Sequence, residues 1–562
     1  MSALLDAARA WRDQDPDAVT RAELDALIAR VEGEVAGATD ELADRFGTRL
    51  AFGTAGLRGE LGAGSNRMNR VLVAQAAAGL AAYLRERATP GDAPVVVVGY
   101  DGRRNSDVFA RDSAELFAGA GLRAVLLPRL LPTPVLAFAV RHLGAAAGVM
   151  VTASHNPPND NGYKVYLGGA DDGAQIVPPA DGEIAAHIQR IADTRLVGDL
   201  PRSDAYEIGA ESIVEAYVAA TAAVSPAGAG AEGLRWAYTA MHGVGWETLS
   251  RILEVAGYPA PVTVDAQLHP DGAFPTVSFP NPEEPGALDL AFETARDADA
   301  ELVIANDPDA DRLAVAVPDA AAPGGWRRLT GNQIGLLLGW RAAQRAADTA
   351  SAADGPRPAL ACSLVSSPGL QAVAAHYGLD FHATLTGFKW ISRAPGIVYG
   401  FEEALGYLVN PDTVRDKDGI SAAIAMLGMV AGARAEGRTL SDLLEEFDRT
   451  FGAYASDQIS VRVEDVSTIT RIMSAVRAQH PSHIGAVGVT RVDDLLTGVD
   501  GLPPGDVLRL WLDDGSRLVI RPSGTEPKLK LYLDVRGETT AEATERLAAL
   551  SAGARELLDR VS

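Results

Sequence analysis

Short apolar runs rich in β-branched residues alternate along this chain with longer Ala-rich stretches. "VVVVGYDGR" from Val95 reads as a buried strand running into a loop. "DVFARDSAELFAGAGL" after it reads as a helix, and "RAVLLP" from Arg123 as the next strand. The rhythm returns in "LRWAYTAMHGVGWETLSRILEVAGY", "ELVIANDPDADRLAVAV" and "LACSLVSSPGLQAVAAHYGL". Such alternation predicts α/β units with largely parallel sheets. The tail breaks it. "GDVLRLWLDDGSRLVIRPSGTEPKLKLYLDV" reads strand, turn, strand, loop, strand, and "TAEATERLAALSAGARELLDRV" closes the chain as a helix. That is an α+β unit of another type. Residues 119–124, "GAGLRA", match a dinucleotide fingerprint, but that motif needs a strand before it and a helix after it. Here the order is reversed, so the glycines are expected to cap a helix.

Length and charge narrow the picture. A chain of 562 residues exceeds one core, so several domains are expected. Candidate joints are 223–233, 318–328 and 351–358, all of which read equally well as surface loops. The formal charge of -24 opposes nucleic-acid or anionic-membrane binding, so an anionic substrate would need local positive sites. Cys362 is the single cysteine; no internal disulfide can form, and a reducing, cytoplasmic setting fits. "MSALLDAARAWRDQDPD" reads as a polar amphipathic helix and not as a signal peptide. The longest apolar run, "ISAAIAMLGMVAGA" from Ile420, is too short for a membrane span.

Three clusters suggest chemistry. "TASHNPPNDNGYKVY" (152–166) sets Ser154 beside His155 among turn formers after a strand-like run. Ser154 is expected to be exposed on that loop, and a solvated turn competes evenly with catalysis. "NDPDADRL" places Asp307, Asp309 and Asp311 at alternate positions between two strands. In extended chain that spacing turns three carboxylates to one side, where a cation must offset their repulsion. Oxygen ligands point to Mg²⁺ or Ca²⁺, and the residues that follow exclude an EF-hand. An acidic surface turn is the alternative. "RPSGTEPKLKLY" (521–532) offers Arg521, hydroxyls at Ser523 and Thr525, and backbone freedom at Gly524. It reads as a phosphate cradle or as an ordinary hairpin loop. "GFEEALGY" (400–407) offers Glu402 and Glu403 either to sugar hydroxyls or to a helix N-terminus. "TAGLRG" (54–59), "TGFKW" (386–390) and "RDKDG" (415–419) are weak singly. Together a serine, a hard metal and a remote phosphate cradle suggest phosphoryl transfer.

The ordered motifs "TASHNPP", "DPDADR", "GFEEALGY" and "RPSGTEPK" make the chain resemble the α-D-phosphohexomutase superfamily, the phosphoglucomutases and phosphomannomutases. The resemblance implies four domains around a central cleft, three related α/β domains and a smaller α+β domain. The boundaries expected here are 1–205, 206–322, 323–450 and 451–562. It implies that Ser154 carries a phosphoryl group and, with Asp307, Asp309 and Asp311, ligates Mg²⁺. Lys164 and His155 become acid/base candidates, with Lys164 preferred. Arg58 and Arg312 would stabilise charge near the phosphoserine. Lys389, Glu402 and Glu403 would meet the sugar, and Arg521, Ser523, Gly524 and Thr525 the non-reacting phosphate. The implied activator is glucose 1,6-bisphosphate, and the implied state a monomer or weak dimer acting on small sugar phosphates. Ala404 departs from relatives that carry a serine there, which leaves hexose and pentose phosphates both open. A metal-dependent phosphatase and a non-catalytic sugar-phosphate binder are the competing readings.

Overall fold

The computed structural model describes residues 2–54, 56–349, 356–463, 465, 467–523 and 528–561. The chain forms two compact units, one of residues 1–328 and 410–431, the other of 329–409 and 432–562. Each contains two sheets.

In the first unit, β1 (Leu57–Glu60), β2 (Val95–Tyr100), β3 (Arg123–Leu126), β4 (Ala147–Val151), β5 (Asp160–Leu167), β6 (Ala174–Gln175) and β7 (Glu207–Ile208) make a mixed sheet in the order β1-β5-β4-β2-β3-β7, with β6 on β5. Its centre is parallel, β4-β2-β3, as the alternation with helices predicts. Val96, Val97 and Val98 are fully buried, which explains why β2 is apolar on both faces. The second sheet comprises β8 (Trp236–Thr239), β9 (Val262–Thr263), β10 (Leu302–Asn306), β11 (Leu313–Pro318) and β12 (Trp326–Arg328), ordered β12-β11-β10-β8-β9. β8 and β10 are parallel, and β10 returns antiparallel as β11.

The second unit holds β13 (Ala359–Ser363), β14 (Asp380–Thr384), β15 (Ile397–Glu402) and β16 (Gly406–Leu408), ordered β14-β13-β15-β16. Its other sheet is antiparallel throughout: β17 (Ala453–Arg462), β18 (His483–Ile484), β19 (Val487–Asp494), β20 (Leu508–Leu512), β21 (Arg517–Pro522) and β22 (Lys528–Gly537), ordered β17-β22-β21-β20-β19-β18. Leu550, Ala554 and Leu557 of the helix Thr540–Val561 belong to the same apolar core as Leu518, Leu531 and Leu533 of this sheet. Four domains therefore follow one another, three α/β and one α+β.

Two expected boundaries fall inside sheets. β7 pairs with β3, so the first sheet continues past residue 205. β12 pairs with β11, so the second sheet continues past 322 to Arg328, where the first unit gives way to the second at the end of the candidate joint 318–328. Backbone pairing, invisible in composition, decides both. The 351–358 candidate lies partly outside the described residues. "GAGLRA" does end a helix, Ser106–Gly119, with Gly121 at φ 82° before β3. No single helix among the described residues is long and apolar enough to cross a membrane.

Candidate active site

Ser154, in the turn after β4, is buried, contrary to the exposure expected of it, while Pro157 and Asn159 further along the loop are exposed. Ser154 is 2% accessible. The turn formers do make a loop, but that loop folds against the one after β10, and the Ser154 hydroxyl donates to Asp307 Oδ2 at 2.8 Å. Local sequence cannot reveal a partner so distant in the chain. Ser154 sits at φ 51°, in the left-handed region, with its N–H on Thr152 Oγ1 at 2.8 Å. His155 Nδ1 lies 3.3 Å from the same hydroxyl. Burial, then the charges of Arg312 and Arg58, push this imidazole well below its ordinary range. Arg58, on β1 and opposite Gly162 of β5, donates to Asn156 Oδ1 at 3.1 Å.

The three aspartates do not reach one side by strand alternation. β10 ends at Asn306, residues 308–310 form a turn, and Ala310 takes φ 55°. The turn gathers the carboxylates, each fully buried, so that one oxygen from each lies within 4.8 Å of the others. Asp309 Oδ2 receives Lys164 Nζ at 2.8 Å and Thr133 Oγ1 at 2.6 Å. Asp311 Oδ2 receives Lys164 Nζ at 2.8 Å and lies 3.2 Å from Lys417 Nζ. Asp307 Oδ1 accepts the Arg312 N–H at 3.0 Å.

This bonding leaves Asp309 Oδ1 and Asp311 Oδ1 buried without a hydrogen-bond partner. Burial raises Asp311, but Lys164, Lys417 and Arg312 override it and hold the carboxyl well below the usual range. Asp307 is pushed well above that range by burial and by Asp309 and Asp311. Two orphaned oxygens and one carboxylate short of positive charge fit a cation bound through oxygen. All three protein donors are hard, which suits a small divalent ion.

Three residues of this cluster escaped the motif reading. Arg103 closes the "DGR" that follows β2 and contacts the serine loop. Thr133 starts a helix, and its N–H also meets the Asp309 carbonyl at 3.0 Å. Lys417 belongs to the weak "RDKDG" stretch. Its acidic neighbours are anchors: Asp416 accepts from the Tyr166 hydroxyl at 2.9 Å, and Asp418 from that of Tyr217 at 3.0 Å. A lysine between two buried aspartates was the available signal.

A second cluster lies within the second unit. β15 ends at Glu402 and returns as β16, with Leu405 at φ 62°. The stretch "GFEEALGY" is thus a hairpin, and the helix-terminus alternative does not apply. Its two glutamates differ. Glu403 Oε2 accepts from Ser363 Oγ at 3.1 Å and Ser366 Oγ at 2.9 Å, and its N–H meets Ser366 Oγ at 3.1 Å. Glu402 carries none of these ties to the serines. Arg521 stands on β21 opposite Lys530 of β22, and the Ser523 N–H closes that hairpin on the Lys528 carbonyl at 2.8 Å. Burial raises the Tyr532 hydroxyl, the charges of Glu403 and Glu402 add to that, and Arg521 opposes it by charge and hydrogen bond. Glu402, Glu403 and Arg521 therefore share one neighbourhood. Lys389 stands on the short helix Phe388–Ile391 of the same unit. Gly524 and Thr525 lie outside the described residues.

A buried serine hydroxyl bonded to one of three clustered carboxylates that could hold a metal ion is an arrangement suited to phosphoryl transfer. The comparisons agree. Successive parts of the chain match the phosphoglucomutase/phosphomannomutase family: α/β/α domain I over residues 49–195, domain II over 215–322, domain III over 330–450 and the C-terminal domain over 459–552. The chain is 54% identical to a protein of Haemophilus influenzae named probable phosphomannomutase, over 87% of this chain and 98% of that one. It is 34% identical to one of Schizosaccharomyces pombe named probable phosphoribomutase, over 95% and 94%. A solved phosphoglucomutase/phosphomannomutase family protein from Burkholderia thailandensis shares the fold, with TM-score 0.70 and 20% identity over 92% of this chain and 98% of that one. The chain belongs to the phosphoglucomutase/phosphomannomutase family and is an intramolecular phosphotransferase.

Proposed function

We propose that this enzyme moves a phosphoryl group between C1 and C6 of hexose phosphates, with Ser154 as the carrier. The observation that carries the reading is the Ser154 hydroxyl held on Asp307 inside the buried carboxylate cluster. Phosphoserine gives its phosphoryl group to the free hydroxyl of a hexose phosphate: the phosphorus–serine oxygen bond breaks as the phosphorus–sugar oxygen bond forms, and the hydroxyl proton leaves to a base. The resulting 1,6-bisphosphate then returns its other phosphoryl group to Ser154 by the reverse exchange. Glucose 1,6-bisphosphate, by the same chemistry, charges an empty Ser154.

Asp307, Asp309 and Asp311 would hold Mg²⁺, which neutralises charge on the transferring group. Arg58 and Arg312 supply positive charge to that group, and Lys164 moves the proton. Lys164 is preferred to His155 because its Nζ lies at the carboxylate cluster, 2.8 Å from Asp309 and Asp311; as the free amine it takes up the hydroxyl proton, and as the ammonium it returns that proton in the reverse exchange. Glu402 and Lys389 contact the sugar, and Arg521, Ser523, Gly524 and Thr525 hold the non-reacting phosphate. Glu403 belongs to the same loop. The enzyme is expected to work in the cytoplasm as a monomer or weak dimer.

A site that reads the hydroxyls common to glucose and mannose cannot separate them strongly, so both are substrates, glucose preferred. The second reading is a phosphopentomutase. It is favoured by Ala404, which removes a hydroxyl from the sugar loop, and by the relative named phosphoribomutase. Intact-mass measurement tests the mechanism: one phosphate increment on Ser154 after incubation with glucose 1,6-bisphosphate supports it, and none refutes it. Values of kcat/KM for glucose, mannose and ribose 1-phosphates test the substrate. A preference for ribose of about a hundredfold, nearly 3 kcal/mol, would replace the hexose assignment with the pentose one.

A further inference from the structure

Ser154 occupies a backbone conformation that costs a non-glycine residue roughly 1 kcal/mol or more and persists only where its surroundings enforce it. The enforcing group is Arg103. Its side chain reaches under the serine loop and donates to four carbonyls. Nη2 meets the Ser154 carbonyl at 2.6 Å and that of Asn156 at 2.5 Å. Nη1 meets Pro157 at 2.9 Å and Asp160 at 3.1 Å. Pro157 and Pro158 have no N–H to offer, so the stretch has few donors of its own for its carbonyls; the Asp160 N–H reaches that of Pro157 at 3.0 Å, and Arg103 supplies donors to all four. A planar fork spans four acceptors; a lysine ammonium has three hydrogens and no fork.

Arg103 is itself held firmly. It is 3% accessible. Its N–H meets Asp101 Oδ1 at 3.0 Å, its Nε lies 3.6 Å from Asp101 Oδ2, and its guanidinium lies over the Phe274 ring at 4.9 Å. Ser106 Oγ fixes Asp101 in turn at 2.7 Å. The chain of contacts runs from Ser106 through Asp101 and Arg103 to the Ser154 carbonyl, with every member buried.

We propose that Arg103 is a positioning residue for phosphoryl transfer: through these four carbonyls it sets where the Ser154 hydroxyl stands, without ligating the metal. The inference rests on Ser154 being the phosphoryl carrier. It is the placement of the reacting oxygen, not the charge of the site, that Arg103 provides, so a variant keeping the charge but losing the fork must fail.

The test compares wild type with Arg103→Lys and with Asp101→Asn, which leaves Arg103 in place but removes its charged anchor. Rapid-mix intact-mass measurement reads the rate at which glucose 1,6-bisphosphate phosphorylates Ser154. Mn²⁺ titration reads the carboxylate cluster independently of turnover, and melting temperature reports folding. The expected result for Arg103→Lys is a loss of about a hundredfold in phosphorylation rate, the penalty of an ångström-scale misplacement. Its Mn²⁺ affinity should stay within about threefold, below the loss of about tenfold or more expected when a metal's supporting shell is broken. Asp101→Asn should show a smaller loss of the same kind. Arg103→Lys phosphorylated at the wild-type rate overturns the proposal. So does a parallel loss of Mn²⁺ affinity, which would make Arg103 a general support of the fold. If Arg103→Lys does not fold, Asp101→Asn decides alone: a wild-type phosphorylation rate overturns the proposal, and a selective loss upholds it. Failure of the wild type itself to acquire phosphate refutes the carrier assignment, a separate result.

Discussion

Gly243 offers a sharp test of how the aspartate cluster is held. The loop after β8 leans on the turn that carries the carboxylates: the Val244 N–H donates to the Pro308 carbonyl at 2.9 Å. Pro308 lies between Asp307 and Asp309. A methyl group on Gly243 would stand 2.4 Å from both the Pro308 Cα and its carbonyl oxygen, and 2.7 Å from its carbonyl carbon. All three are backbone atoms, so no flexible side chain can swing away. Ordinary contact begins near 3.4 Å, and Gly243→Ala therefore demands roughly an ångström of movement. Overpacking of this kind costs about 1–3 kcal/mol of stability. The functional effect should be larger, because both residues flanking Pro308 are carboxylates of the cluster. We expect kcat to fall by about a hundredfold and the metal dissociation constant to rise by about tenfold or more. Gly182→Ala is the control: it lies exposed in the first turn of the helix Ala180–Thr194 with nothing within 4 Å of the added methyl. That change should be neutral or stabilise by up to about 1 kcal/mol. Steady-state kinetics with glucose 1-phosphate, Mn²⁺ titration and melting curves provide the readouts. A Gly243→Ala enzyme that melts lower but keeps its metal affinity and kcat would show that the strain escapes elsewhere, and the reasoning would fail.

Asp309→Asn should keep the fold and lose most activity, since a neutral ligand weakens the cation and its neutralising charge; EDTA should inactivate the wild type reversibly. Activity indifferent to both would remove the metal from the mechanism. In the sugar loop, Glu403→Gln should be mild, because an amide oxygen still accepts from Ser363 and Ser366, while Glu402→Gln should lower kcat/KM for glucose and mannose phosphates alike. The reverse ranking would make Glu403 the reader. Asp418, fully buried and bonded to Tyr217, is pushed up to about 6 by burial. The folded state then holds this proton more tightly than the unfolded chain, so a penalty develops between about pH 4 and 6 and reaches about 3 kcal/mol above that window. Asp418→Asn should accordingly raise the melting temperature more at pH 7 than at pH 4.5; a difference that is flat or shrinks with pH would refute this.

How much of this was legible in the chain depends on the range of the interactions concerned. The alternation of apolar runs with Ala-rich stretches marked the α/β units, because backbone periodicity and burial are written locally. The antiparallel tail was legible for the same reason, and residue type and close spacing were enough to single out Ser154 and the three aspartates as candidates. Tertiary structure decided the rest. The turn formers around Ser154 predicted a loop but not its burial, which comes from a partner in the next domain. Alternate spacing suggested that three carboxylates share a side, yet a tight turn and not an extended strand brings them together. Two adjacent glutamates look equivalent until Ser363 and Ser366 tie down one of them. Arg103 and Thr133 carry no local mark of their contacts, and Lys417 only its flanking aspartates, because each acts on a group brought to it only when distant segments pack. Side-chain type and period are properties of neighbours in the chain; convergence of charges, hydrogen bonds and packing is a property of the folded molecule alone.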